Sequence, residues 1–103
     1  MKFETTQGFD GDYAHLSEGE RRLFRDALED FIPACERYAE NPAGAKWPAR
    51  LRVKDVEGAT GVREMTWSFA GPDGRATFEF VTIGGSLGVR WRRIGGHAIL
   101  KKP

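Results

Sequence analysis

The chain has 103 residues, 40% of them hydrophobic and 12% aromatic, and a formal net charge of +1 at pH 7. This length provides for one hydrophobic core, so we expect a single domain over 1–103, and the apolar content excludes a disordered chain. No apolar run approaches the roughly 18 residues that span a bilayer, no apolar signal segment opens the chain, and one cysteine, Cys35, excludes an internal disulfide. A cytoplasmic protein without a membrane partner is therefore expected.

Charge is distributed unevenly along the chain. Residues 1–45 carry 5 Lys or Arg and 10 Asp or Glu, a net −5, whereas residues 46–103 carry 11 and 5, a net +6. A basic half on a nearly neutral chain favours an anionic partner for that half. The alternative is that the two halves pair with each other in the fold.

The first half of the chain shows one strand pattern and then helix patterns. Residues 1–6 alternate weakly and predict a short strand, and 8–16 predict a turn with one or two helical turns. Ser17 and Glu20 have capping-box spacing, so a second helix is expected from there to about Ala39. Its buried stripe, at spacings of three and four, is predicted to be Phe24, Ala27, Leu28, Phe31, Cys35 and Tyr38.

A proline interrupts this second helix pattern. Pro33 removes one backbone hydrogen bond and crowds the preceding turn, which predicts a kink or break near 31–32.

The second half alternates as strands do. Strands are predicted at 50–56, 62–69 and 75–80, and from Gly88 onward. Turn-forming sequences separate them at 57–61, 70–74 and 83–86. Helices followed by strands predict an α+β fold: an N-terminal strand, two helices, then a three- to four-stranded antiparallel sheet with the helices on one face.

The sheet face turned away from the helices is the candidate functional surface, because it must be polar or bind a ligand. Its members are predicted to be Arg52, Lys54, Glu64, Thr66, Arg75, Thr77 and Glu79, with Arg90 and Arg92, or with Arg93 if a bulge changes the register. The helix-facing set is Leu51, Val53, Arg63, Met65, Trp67, Phe69, Ala76, Phe78 and Phe80. Arginine and lysine suit phosphodiester oxygens. The alternative is that Glu64 and Glu79 pair with neighbouring arginines.

A histidine at the rim of such a surface is suited to RNA cleavage. That reaction needs a base for the 2′-hydroxyl proton, an acid for the 5′-oxygen and fixed positive charge. His97 is the candidate acid or base, because histidine changes charge near neutral pH, and Lys54 or Glu64 is the candidate second group. Arg75 and Arg93 are the candidate charge stabilisers. The alternative is an inert surface histidine, and no metal site or cofactor is predicted.

The stretches "LRVK", "GRATFEF" and "RIGGH", with the order of strand, helices and strands, resemble the RelE/ParE superfamily of bacterial toxins over nearly the whole chain. "RIGGH" is similar to the Arg-x-Gly-x-His ending of RelE-type ribonucleases. The resemblance implies the toxin of a type II toxin–antitoxin pair. Such a toxin is a metal-independent endoribonuclease that cleaves mRNA in the ribosomal A site, and a cognate antitoxin holds it inactive in a hetero-oligomer of unassigned stoichiometry.

The family's functional residues fall on positions already singled out. Its strand arginine falls on Arg75, its late-strand arginine on Arg93 and its histidine on His97; basic residues of the earlier strand fall on Arg52 and Lys54. The expected catalytic set is Arg75, Arg93, His97 and Lys54, and the expected RNA-binding set is Arg52, Arg90, Arg92 and Lys101.

The sequence departs from the family after the histidine. Many relatives place an aromatic residue there, whereas this chain has Ala98, Ile99, Leu100 and Lys101. Two alternatives stay open: a ParE-like toxin that inhibits DNA gyrase, against which the Arg-plus-His ending argues, and a catalytically inactive RelE-fold binding domain.

Overall fold

Five strands form one mixed sheet in the computed structural model, which describes residues 1–69 and 73–103. The strands are β1 (Lys2–Thr5), β2 (Lys54–Asp55), β3 (Arg63–Ser68), β4 (Gly74–Ile83) and β5 (Ser86–Gly95), in the spatial order β1-β5-β4-β3-β2. Strands β2 to β5 pair antiparallel, and β1 runs parallel to β5. The α+β class is confirmed. The four antiparallel strands after the helices are also confirmed. The sheet has a fifth strand, because β1 joins its edge through parallel pairing that no local pattern encodes.

Two helices connect β1 to the rest of the sheet. Helix α1 (Gln7–Ala14) begins after Thr6, whose hydroxyl accepts a hydrogen bond from the Phe9 N–H, and α2 (Glu18–Glu40) begins after Ser17. Both hydrogen bonds of the Ser17–Glu20 capping box are present, which confirms the predicted helix start. Neither helix, among the described residues, is long and apolar enough to cross a membrane.

Helix α2 is continuous through Pro33, so the predicted break is absent. A proline in a helix interior costs about 3 kcal/mol. Phe31, Ala34 and Cys35 on either side of it are fully buried, while Pro33 itself is exposed. Burial of these flanking side chains offsets that cost and keeps the helix uninterrupted.

The core between the helices and the sheet is aromatic. The ring of Phe31 packs 4.9 Å from Trp91, 5.0 Å from Phe78 and 5.7 Å from Trp47, measured between centroids. Full burial of a phenylalanine contributes roughly 1.5–3 kcal/mol. The predicted helix stripe is confirmed, with Leu28 and Tyr38 at its half-buried margin.

The predicted strand at 50–56 is largely wrong. A single turn of 3-10 helix, Ala49–Leu51, stands there, and Arg52 follows it in the left-handed region with φ 46° and ψ 45°. Within 50–56, only the two residues of β2 form a strand, and they pair with β3. Leu51 is nonetheless buried and Val53 packs against the core, so their side was predicted correctly.

Register irregularities change where some side chains lie. Thr77 pairs with Arg93 and Phe78 with Trp91, which leaves Arg92 as the extra residue of a bulge in β5, as the sequence allowed. Strand β3 ends at Ser68, so Phe69 lies beyond it and is 49% exposed instead of facing the core.

The turns are partly confirmed. Gly84 and Gly85, both with positive φ, form the turn between β4 and β5, and a turn occupies 57–61. In the turn predicted at 70–74, residues 70–72 lie outside the described residues.

The second face of the sheet is covered at its centre by the C-terminal segment. Thr77 alternates with the core residues Ala76 and Phe78, so its side chain points to the opposite face, where its hydroxyl donates to the Pro103 carbonyl at 3.5 Å. The 3-10 helix His97–Lys101 contacts β4 and β5. Glu64, Thr66 and Thr77, predicted on an open face, are therefore buried.

A packing test of this sheet is available at Gly74. A Cβ there would lie 2.5 Å from the Trp67 ring, so we expect Gly74→Ala to lower the free energy of unfolding by about 1–3 kcal/mol. The control is Gly11→Ala in α1, where nothing lies within 4 Å and the unfolding free energy should rise by up to about 1 kcal/mol. Urea titration of both variants makes the measurement; equal stability of Gly74→Ala and the parent would refute the packing.

Burial also predicts the reactivity of Cys35. Loss of solvent raises the pKa of this thiol to about 12, so its nucleophilic thiolate is scarce at neutral pH. We expect a thiol reagent to label the native protein slowly and the urea-unfolded protein rapidly. Equal labelling rates in the two states would contradict the burial.

Candidate active site

His97 opens onto a pocket at the β2 edge of the sheet. This His97 pocket has a volume of about 440 Å³ and is lined by Lys54, Asp55, Val56, Glu57, Glu64, His97 and Leu100. Gly95 pairs with Arg75 across β5 and β4, so the chain leaves the sheet beside Arg75 and reaches the pocket two residues later. The His97 imidazole is exposed at the rim.

The Glu64 carboxylate connects two cations at this pocket, Lys54 and Arg75. Its side chain is buried, and its Oε1 lies 3.3 Å from Arg75 Nε and 4.0 Å from Lys54 Nζ. Lys54 and Glu64 are directly paired across β2 and β3, and Arg75 reaches from β4. One carboxylate therefore fixes two candidate catalytic cations.

Asp73 extends the same network toward Arg52. Its Oδ2 lies 3.5 Å from Arg75 Nη1 and 3.6 Å from Arg52 Nη1. Charges thus alternate in sign along the edge, in the order Arg52, Asp73, Arg75, Glu64 and Lys54. The expected basic surface is, at this edge, a chain of ion pairs.

Arg75 is the most enclosed of these cations, with only 12% of its side chain exposed. Its Nε and Nη1 are buried and make no hydrogen bond of good geometry within the described residues. The guanidinium is held by charge at ion-pair distances from Glu64 and Asp73.

The other arginines lie elsewhere. Arg90 Nε donates to Glu4 at 2.7 Å, Arg92 donates to Glu79, and its Nε donates to the Pro103 carbonyl at 2.9 Å. The predicted alternative for Glu79, pairing with arginines, is thereby confirmed.

Arg93 is bound on the α1 side of β5. Its Nε donates to Asp12 at 2.6 Å and its Nη1 to the Lys102 carbonyl at 3.1 Å. Three strand spacings, about 14 Å, separate the backbones of β5 and β2. Arg93 is thus bound to Asp12 and Lys102 and lies on a different strand from the residues that line the His97 pocket.

Of the four predicted catalytic residues, Lys54 and His97 line one pocket, Arg75 lies behind it in contact with the lining residue Glu64, and Arg93 is bound to Asp12. Of the predicted RNA-binding residues, Arg52 joins this edge through Asp73, Arg90 and Arg92 lie on β5, and Lys101 is exposed at the end of the last 3-10 helix.

Two features near the site were not predicted from the sequence: the contacts of Asp73 and the exposure of Phe69. Asp73 was predicted only as part of a turn, and its contact with Arg52 joins segments that are distant in sequence. Phe69 continues the alternation of β3, and only the register shift after Thr66 places it outside.

The described residues contain no group of three or more His, Cys, Asp or Glu side chains placed to hold a metal ion. No protein-family model matches the chain, and no curated protein or solved structure matches it significantly. The family resemblance accordingly stays a prediction.

The Asp12–Arg93 pair gives a pH-dependent test. Burial raises the pKa of the Asp12 carboxyl, but hydrogen bonds from Arg93 and the Ile94 N–H outweigh it, so the pKa lies below its ordinary value. A lowered folded pKa stabilises the fold above the unfolded pKa, and this stabilisation disappears as pH falls through the folded pKa. We expect Asp12→Asn to cost about 1–2 kcal/mol at pH 7, with the difference vanishing in acid.

Unfolding free energies measured against pH provide the comparison. Asp26→Asn, an exposed substitution in α2, is the matched control and should follow the parent throughout. A pH-independent offset for Asp12→Asn would show that the carboxylate charge does not support this contact.

Proposed function

We propose that the chain is a metal-independent endoribonuclease whose active site is the His97 pocket. The observation that carries the proposal is the convergence of His97, Lys54 and Glu64 on one concavity, with Arg75 bound to Glu64. An imidazole, an ammonium and a fixed guanidinium are the groups that RNA transesterification requires without a metal.

The solvent exposure of each side chain indicates its role in the proposed reaction. Glu64 is 5% exposed and cannot reach a 2′-hydroxyl, whereas the Lys54 side chain is 67% exposed and His97 is open to solvent. His97 and Lys54 are therefore the two proton-transfer groups, and Glu64 positions Lys54 and Arg75. Arg75 lies behind Glu64 and adds positive charge to the pocket without touching the phosphate.

The reaction is a transfer within the RNA strand. A base takes the 2′-hydroxyl proton, the 2′-oxygen attacks phosphorus, and the bond to the 5′-oxygen breaks as an acid protonates that oxygen. The products are a 2′,3′-cyclic phosphate and a 5′-hydroxyl end. Because the 2′-hydroxyl is the nucleophile, DNA cannot be a substrate.

The more specific form of the proposal is a RelE-type toxin that acts on translated mRNA and is restrained by a cognate antitoxin protein. Its supports are the "RIGGH" ending and the order of one strand, two helices and four antiparallel strands. In such a toxin the ribosome presents the mRNA strand to the pocket.

A second candidate is a catalytically inactive binding domain of the same fold. The observation that favours it is the ion pairing of Arg75, Arg90 and Arg93, since a paired cation offers less free charge to a phosphate. Such a domain would bind RNA in a salt-sensitive manner without cutting it.

Single substitutions in a translation extract test the proposal. We expect the parent to cut a reporter mRNA, with primer extension mapping the ends, and His97→Ala to lower the cutting rate by about 10²–10⁴-fold through loss of a proton-transfer group. Lys54→Ala should also slow cutting. His15→Ala and Lys46→Ala, exposed residues away from the pocket, are matched controls and should cut like the parent.

The outcomes separate the candidates. Parent-like cutting by His97→Ala would refute the assignment of the pocket. Salt-sensitive RNA binding by the parent without any cutting would favour the binding domain, and inhibition of gyrase supercoiling without an effect on translation would favour a ParE-like toxin.

A further inference from the structure

Phe69 leaves an aromatic ring half exposed to water just beyond the end of β3. At 49% it is the most exposed of the large hydrophobic side chains in the part of the chain the structure describes. A phenylalanine is stabilised by burial, so a half-exposed ring is unused binding surface. Its position next to a chain of charges distinguishes it from the exposed Phe3 on β1 at the far edge of the sheet.

Arg52 lies over this ring. The guanidinium carbon is 4.9 Å from the Phe69 centroid, within the range of a cation–π contact. Arg52 is also the only non-glycine residue with positive φ among residues 1–69 and 73–103. Sterically disfavoured backbone of this kind persists where surrounding contacts over-determine it, and it occurs often at ligand sites.

The ring and the guanidinium are linked to the proposed active site. Arg52 and Arg75 share Asp73 Oδ2, and Arg75 in turn contacts Glu64 of the His97 pocket. Phe69 follows Glu64 by five residues of β3 and its end, about 16 Å of extended chain. A strand with one phosphate in the pocket would therefore reach Phe69 with a base a few nucleotides away.

We propose that Phe69 and Arg52 form a base-stacking platform that binds an unpaired nucleobase of the RNA a few nucleotides from the cleaved phosphate. Single-stranded RNA is held by stacking of bases on aromatic rings and on guanidinium planes, and both are present here. The platform supplies the aromatic surface that Ala98, Ile99, Leu100 and Lys101 lack after His97. This inference rests on the proposed function, because it takes RNA as the ligand of the pocket.

Binding of an oligoribonucleotide that cannot be cleaved isolates the platform from the chemistry. A short single strand with 2′-O-methyl groups lacks the nucleophile and is titrated by fluorescence anisotropy. We expect Phe69→Ala to weaken its binding about tenfold, Phe69→Tyr to retain it, and the matched control Phe3→Ala, at 37% exposure, to bind like the parent. Thermal unfolding of each variant confirms an intact fold.

Abasic oligonucleotides identify the contact as stacking. Removing the base that lies on the platform should weaken the parent by the same factor and leave Phe69→Ala without further loss. Parent-like binding by Phe69→Ala, or an equal further loss at every abasic position, would overturn the platform. The platform would also be overturned if Phe69→Ala weakened binding to a protein partner and left binding of the oligonucleotide unchanged.

The two proposals fail in different ways. If His97→Ala still cuts mRNA like the parent while Phe69→Ala loses base-dependent binding, the assigned chemistry falls and the platform stands. If His97→Ala is inactive while Phe69→Ala binds the oligonucleotide normally, the platform falls and the chemistry stands.

Discussion

The candidate site depends on one buried carboxylate. Glu64 is withdrawn from water, and an unpaired charge in that position is strongly destabilising, so it requires positive partners. Those partners come from both neighbouring strands: Lys54 of β2 lies directly opposite, and Arg75 of β4 reaches the same oxygen. Because one atom is shared, the two cations lie close to each other, Arg75 enclosed and Lys54 exposed. The arrangement of the pocket follows from satisfying a single charge, and His97 meets it from the C-terminal 3-10 helix.

The charge asymmetry between the halves of the chain has two parts. Ion pairs across the fold neutralise some of it: Arg90 with Glu4, Arg93 with Asp12, and Arg50 with Asp30. The alternative in which the halves pair with each other is thus partly confirmed. Solvent-accessible pairs of this kind contribute only about 0–1 kcal/mol, so a phosphate can compete for their cations. Intramolecular pairing and binding of an anionic strand are therefore compatible. Arg75 differs from these accessible arginines because it is enclosed and its partner Glu64 is buried.

Local patterns were enough to predict the helices and most of one sheet face. The Ser17–Glu20 box, the stripe through Phe31 and the glycines of the β4–β5 turn act within a few residues, where sequence spacing and geometry coincide. The parallel pairing of β1 with β5 and the contact between Pro103 and Thr77 join distant segments, and spacing carries no information about them. At the site, residue type identified Lys54, Arg75 and His97. Sequence spacing did not indicate the left-handed backbone of Arg52, nor the contacts that Arg52 makes with Phe69 and Asp73.

The strained residue, the shortest strand and the exposed site groups occur at the same edge of the sheet. Strand β2 has two residues, bounded by Arg52 on one side and the 57–61 turn on the other, so little pairing holds this segment to β3. Segments with few buried contacts open at low free energy, and binding sites are commonly built from them. Arg75 and Glu64 lie inward of that edge, on β4 and β3, where packing fixes them. Under the proposed function, the enclosed Arg75 on an inner strand and the exposed groups at the edge would let an RNA strand enter the pocket without displacing Arg75.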